Sequence, residues 1–425
     1  MQTETFECPY AAKCGACEWL EVPYEEQLQR KQAYLEELFE PFGCAVEPIK
    51  GMREPVGYRA KVMTPFQPGP KGTLLHGMYE KGTHNIVEMQ NCLVEDSAAQ
   101  PIMRTIARLA REFRIKPYQE DTGHGLLRHA VVRVAKATGE CMVTLVVNSK
   151  EFPRKKEFVR ALRDEHPEIA TVAFNINTHQ TNAVLGTRTS VAYGQGWLED
   201  RLCGCTFRIP ADAFYQTNPT QTEVLYNTAI RFAKLQGGET VLDAYCGIGT
   251  IGICAAHAVR NMPSPKPKKK AKKKKTAAPA VRKPVRIIGV ESVASAVETA
   301  AENARINRIN HTEFHAGDAG TFLTNCTDEL DVVFMDPPRA GASEEFLAAL
   351  MLAAPKRVVY VSCNPESQAR DLQVLKELYT VERAVGVDMF PHTSHVETCC
   401  LLVRENAHDD EMASIKVDLE GISLD

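Results

Sequence analysis

The stretch VLDAYCGIGTIGI, residues 241–253, decides the fold. It reads as an apolar strand carrying Asp243, a turn containing Gly247 and Gly249, and the first turn of a helix. Glycines at such a turn let the backbone pass close to a ligand held at the helix N-terminus, which is how cofactor-binding α/β folds are built. The spacing is not the dinucleotide pattern G-x-G-x-x-G.

Outward from this stretch, short apolar runs alternate with helical segments. The pattern predicts strands at 240–244, 286–290, 312–315, 331–335, 357–361, 381–387 and 398–403. Strand-helix alternation with apolar strands argues a parallel, doubly wound sheet. Acidic residues then fall at successive strand ends: Glu291 after the second strand, Asp318 after the third and Asp336 after the fourth. Ligands in open α/β sheets bind along that edge. Glu291 is placed to receive a ribose diol, although Glu291 or Asp318 could instead cap the following helix.

Residues 335–341, MDPPRAG, end the fourth strand with an acid and two prolines. Each proline fixes φ and donates no hydrogen bond, so the pair makes a rigid lip. Asp336 can face a planar substrate or a polar group beside the cofactor, and Arg339 can meet phosphate; a turn with a solvated arginine is the plainer reading. The fifth strand leaves through SCNP, residues 362–365, which puts Cys363 at the strand exit on the same edge. A thiolate there is a strong nucleophile, whereas a cysteine serving as core filler belongs inside the strand. In HTSHVETCCLL, residues 392–402, Glu397 opens an apolar strand and could act as a base. A lone glutamate at a strand start is more often solvated.

The chain before about residue 205 is mixed α+β. Helices are expected at 24–39, 101–114 and 153–164, hairpins between 56 and 94, and further strands at 129–147, 171–177 and 201–210. The expected division is a cysteine motif with a β-rich segment at 1–95, a central α+β region at 96–205, and a doubly wound domain at 206–404. That domain is interrupted by a Lys-rich insertion at 263–284 and followed by an acidic tail at 405–425.

Across 425 residues, 44% hydrophobic and 24% charged is the composition of a globular protein of two or three domains. No run approaches the roughly 20 apolar residues of a membrane helix, so a cytoplasmic protein without membrane contact is expected. The net charge of −4 hides eight lysines at 266–275; without them 42 basic residues face 54 acidic ones. A concentrated basic run fits a polyanion partner better than the average does. Of the 14 cysteines, Cys8, Cys14 and Cys17 alone are spaced like a ligand set, and in a reducing compartment that suggests metal before disulfide.

SCNP and DPPR, together with AFYQTNPTQTEVLY (residues 213–226) and HTSHVE (residues 392–397), closely resemble the RNA uridine C5-methyltransferases that use S-adenosylmethionine. The resemblance covers nearly the whole chain. It implies a Rossmann-like methyltransferase domain preceded by an α+β RNA-binding domain, with Cys363 as nucleophile and Glu397 as base. It also implies a cofactor site of Gln216, Tyr245, Glu291 and Asp336, beside the Gly247, Gly249 and Asp318 positions read from the pattern. CPYAAKCGAC (residues 8–17) and MQNCLVE (residues 89–95) resemble the cluster motif of the ribosomal-RNA branch, implying Cys8, Cys14, Cys17 and Cys92 as ligands of a 4Fe-4S cluster. Spacing alone leaves a closed zinc site equally open. YRAKV (58–62) and RHAVVR (128–133) would then face RNA.

Many relatives begin with a small β-barrel RNA-binding domain; with cysteines from residue 8, none is expected here. The expected activity is therefore methylation of uridine C5 in 23S ribosomal RNA by a monomer. A tRNA uridine methyltransferase and a non-catalytic RNA-binding or folding factor are the alternatives.

Overall fold

The computed structural model describes residues 5–70, 73–180, 183–263 and 282–405. The lysine run at 266–275 and the tail from 406 lie outside the described residues. Helix α1 (Tyr24–Phe39) and strand β1 (Val46–Lys50) come first, followed by β2 (Lys61–Pro68), β3 (Leu74–Tyr79) and β4 (Ile86–Glu88). Helix α2 (Ala99–Glu112), β5 (Leu127–Val134), β6 (Cys141–Val147), α3 (Lys155–Glu165), β7 (Ile169–Ile176) and β8 (Arg188–Tyr193) complete a seven-stranded sheet of order β4-β3-β2-β5-β6-β7-β8. Strands on both sides of residue 95 thus share one sheet. Helix α2 buries Ile102, Met103, Ile106 and Leu109, a stripe of helical period, against this sheet. Every residue of β5 and β6 is buried, so Arg128 and Arg133 face the interior rather than RNA.

A hairpin, β9 (Trp197–Leu202) with β10 (Cys205–Pro210), leads into the second sheet. Its elements are α4 (Pro219–Ala233), β11 (Thr240–Ala244), α5 (Thr250–Arg260), β12 (Arg286–Glu291), α6 (Ala294–Ile306), β13 (Thr312–Ala316) and α7 (Ala319–Thr324). They continue with β14 (Val332–Met335), α8 (Glu344–Ala353), β15 (Arg357–Ser362), α9 (Pro365–Leu375), β16 (Tyr379–Val387) and β17 (Glu397–Arg404). The order is β1-β16-β17-β15-β14-β11-β12-β13. Side chains alternate between two cores: Val241, Ile287, Phe334 and Val359 pack under α4 and α5, while Leu242, Ile288, Val333 and Tyr360 pack under α7, α8 and α9. Alternation of period two with helices on both faces is why the strands read as continuous apolar runs. Each fully buried Leu, Val or Ile contributes roughly 1.5–3 kcal/mol.

Two features depart from the sequence reading. β17 runs antiparallel to both β15 and β16, because only residues 388–396 separate it from β16 and a parallel return needs a crossover of about a dozen residues or more. β1, far away in sequence, pairs in parallel with β16, and α1 packs on that edge. Around β11 the chain steps outward to β12 on one side and β14 on the other, and this switch point opens a crevice at the strand C-termini.

Candidate active site

The glycine turn leaves β11 at Tyr245, whose φ is 62°, followed by Gly247 at 55° and Gly249 at 82°. Glu291, at the end of β12, fixes this turn. Gly247 N donates to its Oε2 at 3.1 Å, and Val293 N donates to its Oε1 at 2.9 Å. A Cβ at Gly247 would meet nothing within 4 Å, so the turn borders open space. That space is a cleft lined by Gln216, Tyr226, Tyr245, Gly247 and Asp336, with Phe214 at its mouth. Asp243 sits beneath, accepting from Gly252 N at 2.8 Å, and burial pushes its carboxyl up to about 7. Four of the seven cofactor residues expected from sequence therefore meet at one cleft; Gly249 continues the same turn and Glu291 braces it.

Asp318 is placed differently. It accepts from Thr321 N at 2.8 Å as the N-cap of α7, the plainer of its two readings, while burial and, after it, the nearby Asp318 charge raise the Tyr245 phenol. The Glu291–Gly247 bridge, the open space at Gly247 and the acid beside Tyr245 suit a nucleoside with a ribose diol, so the residues fit S-adenosylmethionine.

Regular strand pairing brings Cys363 and Glu397 together. β15 and β17 pair up to Ser362 opposite Thr398, so Cys363 and Glu397 are the next residues in register. Asp336 follows the last paired residue of β14. Glu397 is 3% exposed, and its Oε2 has no hydrogen-bond partner among the described residues. Burial, then the Asp336 charge, pushes its carboxyl up to about 8. Asp336 rises to about 7 through burial. The half-buried Cys363 thiol is pushed up to about 11 by burial and by the Glu397 and Asp336 charges, with Arg339 pulling the other way.

SCNP itself is a strand-to-helix junction. Pro365 occupies the first turn of α9, where its missing N–H costs nothing, and Ser362 Oγ and Ser367 Oγ both donate to Asn364 O at 2.9 Å. Asn364 Nδ2 donates to Arg339 O at 3.1 Å, tying this junction to the DPPR lip. Cys363 thus lies beside the positive end of a helix, which offsets part of the rise that burial and the two acids impose on its thiol.

Sequence reasoning missed three supports. Asp371 is buried and accepts from Ala342 N at 2.8 Å and Tyr360 OH at 2.6 Å, holding the lip from beneath. Asn218 caps α4 and donates to Met389 O at 2.9 Å, which fixes the loop bearing Gln216; the Asn-Pro helix start was a readable signal. The loop before Glu397 is gripped by α1: Lys31 Nζ and Tyr24 OH each reach Asp388 at 2.7 Å, and His392 N donates to Gln27 Oε1 at 2.8 Å.

At the other end of the chain, Cys8 lies close to Cys14 and Cys17, Cys17 lies close to Cys14, and Cys14, Cys17 and Cys92 all interact with the partly buried Arg59. Arg59, expected at an RNA-facing surface, instead lies among the cysteines. The loop is pinned to the first sheet by Gly15 N donating to Tyr79 O at 3.3 Å and Lys81 N to Lys13 O at 3.0 Å. Burial raises Cys17 to about 11 and Cys92 to about 12. Three thiols, Cys14, Cys17 and Cys92, lie around one cation and Cys8 stands beside two of them, and their chemistry suits iron or zinc. Among the described residues, however, no group of three His, Cys, Asp or Glu stands at metal-ligand geometry.

The profile of the tRNA (Uracil-5-)-methyltransferase family matches residues 23–405. The chain is 36% identical over 401 residues to an uncharacterized RNA methyltransferase of Staphylococcus aureus strain COL, spanning 93% of this chain and 83% of that one. An uncharacterized RNA methyltransferase of Bacillus cereus is 37% identical over 406 residues, spanning 94% and 83%. Among solved structures, the tRNA (uracil-54, C5)-methyltransferase of Pyrococcus abyssi in complex with S-adenosyl-L-homocysteine superposes with a TM-score of 0.71 at 26% identity, covering 92% of this chain and 86% of that one. With the cleft, the thiol and the buried carboxylate on one sheet edge, these likenesses agree: the chain belongs to the tRNA (Uracil-5-)-methyltransferase family.

Proposed function

We propose that this enzyme methylates C5 of a uridine in 23S ribosomal RNA through a covalent adduct between Cys363 and C6 of the base. The observation that carries the reading is the unpartnered, buried Glu397 carboxylate in register beside Cys363. C5 of uracil is a poor nucleophile by itself. When the Cys363 thiolate adds to C6, an S–C6 bond forms and the displaced electron pair makes C5 an enolate carbon. S-adenosylmethionine supplies the electrophilic methyl group. Glu397 then takes the C5 proton, the C5–C6 double bond re-forms and the Cys363 thiolate leaves. A carboxyl held near 8 is matched to a base working near neutral pH. Arg339 and the α9 N-terminus offset the charge of the thiolate.

In this reading Gln216, Tyr245, Gly247, Gly249, Glu291, Asp318 and Asp336 hold the cofactor, with Glu291 accepting from the ribose hydroxyls. Among the described residues no helix is long and apolar enough to cross a membrane, and the proposal extends to a monomer acting in the cytoplasm. The likeness to the Pyrococcus abyssi enzyme favours a second substrate reading, tRNA. Mass mapping of 5-methyluridine in cells lacking the protein separates the two. Loss of methyl from 23S RNA is expected, loss from tRNA moves the assignment to tRNA, and no loss from either contradicts the activity.

Cys8, Cys14, Cys17 and Cys92 are the proposed thiolate ligands of a 4Fe-4S cluster, a reading supported by the placement of Cys14, Cys17 and Cys92 around Arg59 with Cys8 beside the first two. Protein purified without oxygen should be brown and contain iron and inorganic sulfide. Stoichiometric zinc without sulfide would overturn the cluster.

A further inference from the structure

Three other thiols meet where the β9–β10 hairpin packs on α5. Cys203 and Gly204 form the two-residue turn, with φ of 49° and 77°, the left-handed pair that a tight hairpin requires. Cys205 follows on β10, and Cys254 lies in the second turn of α5. The hairpin and the helix interleave their sulfurs: Cys254 Sγ lies 3.6 Å from Leu202 O, and Cys205 Sγ lies 4.0 Å from Ile253 O. The Cys254 side chain also contacts those of both Cys203 and Cys205. Cys205 and Cys254 are buried, whereas Cys203 is half-buried and its backbone N–H is held by Glu223 at 2.9 Å. None of the three lines the cofactor cleft, and the methyl-transfer chemistry uses none of them.

We propose that Cys203 and Cys254 are a reversible dithiol–disulfide pair, a modification site for peroxide-class oxidants. Cys203 is the thiol that solvent reaches. Its attack on the peroxide O–O bond gives a sulfenic acid and releases water or an alcohol. The Cys254 sulfur then attacks the Cys203 sulfur, the S–S bond forms, and the sulfenic oxygen leaves as water. The two thiols lose two electrons and the peroxide gains them; a dithiol reductant reverses the change. A disulfide holds its sulfurs about 2.05 Å apart, so the bond ties the helix that leaves the glycine turn to the hairpin beside it. This inference does not depend on which RNA is methylated.

The test treats the folded, full-length protein with hydrogen peroxide, alkylates the remaining thiols after unfolding, and digests with trypsin without reduction. Residues 202–208 carry Cys203 and Cys205, and residues 235–260 carry Cys246 and Cys254. The expected product is these two peptides joined, with fragmentation locating the bond at Cys203 and Cys254, and with dithiothreitol separating them. Cys203→Ser should abolish the joined mass and Cys205→Ser should retain it. Recovery of all thiols as alkylated residues overturns the proposal, and so does a joined mass that survives Cys203→Ser. The surface-proximal Cys203→Ser decides the matter even if Cys254→Ser does not fold.

Discussion

Cys363 stands one residue beyond the β15–β17 pairing and Glu397 opens β17 opposite Val387 of β16, whereas Cys8, Cys14 and Cys17 sit in a loop tied down by isolated backbone hydrogen bonds. In the first region the sheet register sets where the side chains go and brings the Cys363 thiol beside the Glu397 carboxyl. In the second, four thiols share one neighbourhood without ligand geometry, so any metal they take must complete their arrangement. The two regions are not independent. Glu18 N and Trp19 N, just past the cysteines, donate to His392 O at 2.9 and 3.1 Å on the loop that delivers Glu397.

The largest expected effect separates the regions. Cys363→Ala should reduce methylation to background while leaving thermal stability nearly unchanged, because the thiol sits at a strand exit rather than in a core. Cys17→Ser should do the reverse to stability, lowering that of the N-terminal half. A Cys363→Ala enzyme that still methylates uridine would break the comparison. Next in size is the bridge between them. Lys31 and Asp388 form a buried ion pair, and removing one partner of such a pair typically costs about 3–5 kcal/mol. Lys31→Ala should lower the denaturation midpoint accordingly; a loss below about 1 kcal/mol would mean that α1 does not anchor the Glu397 loop.

A smaller effect is read against pH. Glu397 and Asp336 hold their protons to about 8 and about 7 in the folded state, while the unfolded chain releases them near 4. The folded state therefore binds more protons between those limits. Stability of the cofactor-free enzyme should be full below pH 4 as far as these groups are concerned, and should decline as pH rises toward 8. Glu397→Gln should flatten that decline in denaturant titrations at pH 5 and pH 8, and an unchanged slope would show that the carboxylate is not desolvated. The smallest effect is at the cofactor turn: Glu291→Ala removes the acceptor of Gly247 N, and a charge-assisted hydrogen bond of about 1.5 kcal/mol predicts roughly tenfold weaker S-adenosylmethionine binding by calorimetry.

The legible parts of the molecule are those where local pattern and global packing coincide. Seven of the eight strands of the second sheet were readable, the central ones because they are apolar on both faces, and Cys363 was readable because its strand ends visibly at Ser362. β1 was not, since VEPIK has no apolar alternation and its partner β16 lies over 300 residues away. Asp371 and Lys31 look like ordinary polar faces of α9 and α1 until tertiary packing buries them. The basic segment RHAVVR misled for the same reason: charge in sequence does not reveal that Arg128 satisfies the Asn177 and His179 carbonyls inside the fold.

The proposed division of labour between Cys363 as nucleophile and Glu397 as base is tested most directly by Glu397→Gln. This variant keeps the thiol and nearly the same shape, so addition and methyl transfer proceed while proton removal stalls, at a cost of about 10²- to 10⁴-fold in turnover. Mixed with target RNA and S-adenosylmethionine labelled in its methyl group, Glu397→Gln should give a retarded, labelled protein–RNA band on a denaturing gel, and the double variant with Cys363→Ala should give none. Normal turnover by Glu397→Gln without a trapped band, or a band that survives loss of Cys363, would contradict the roles assigned to the two residues.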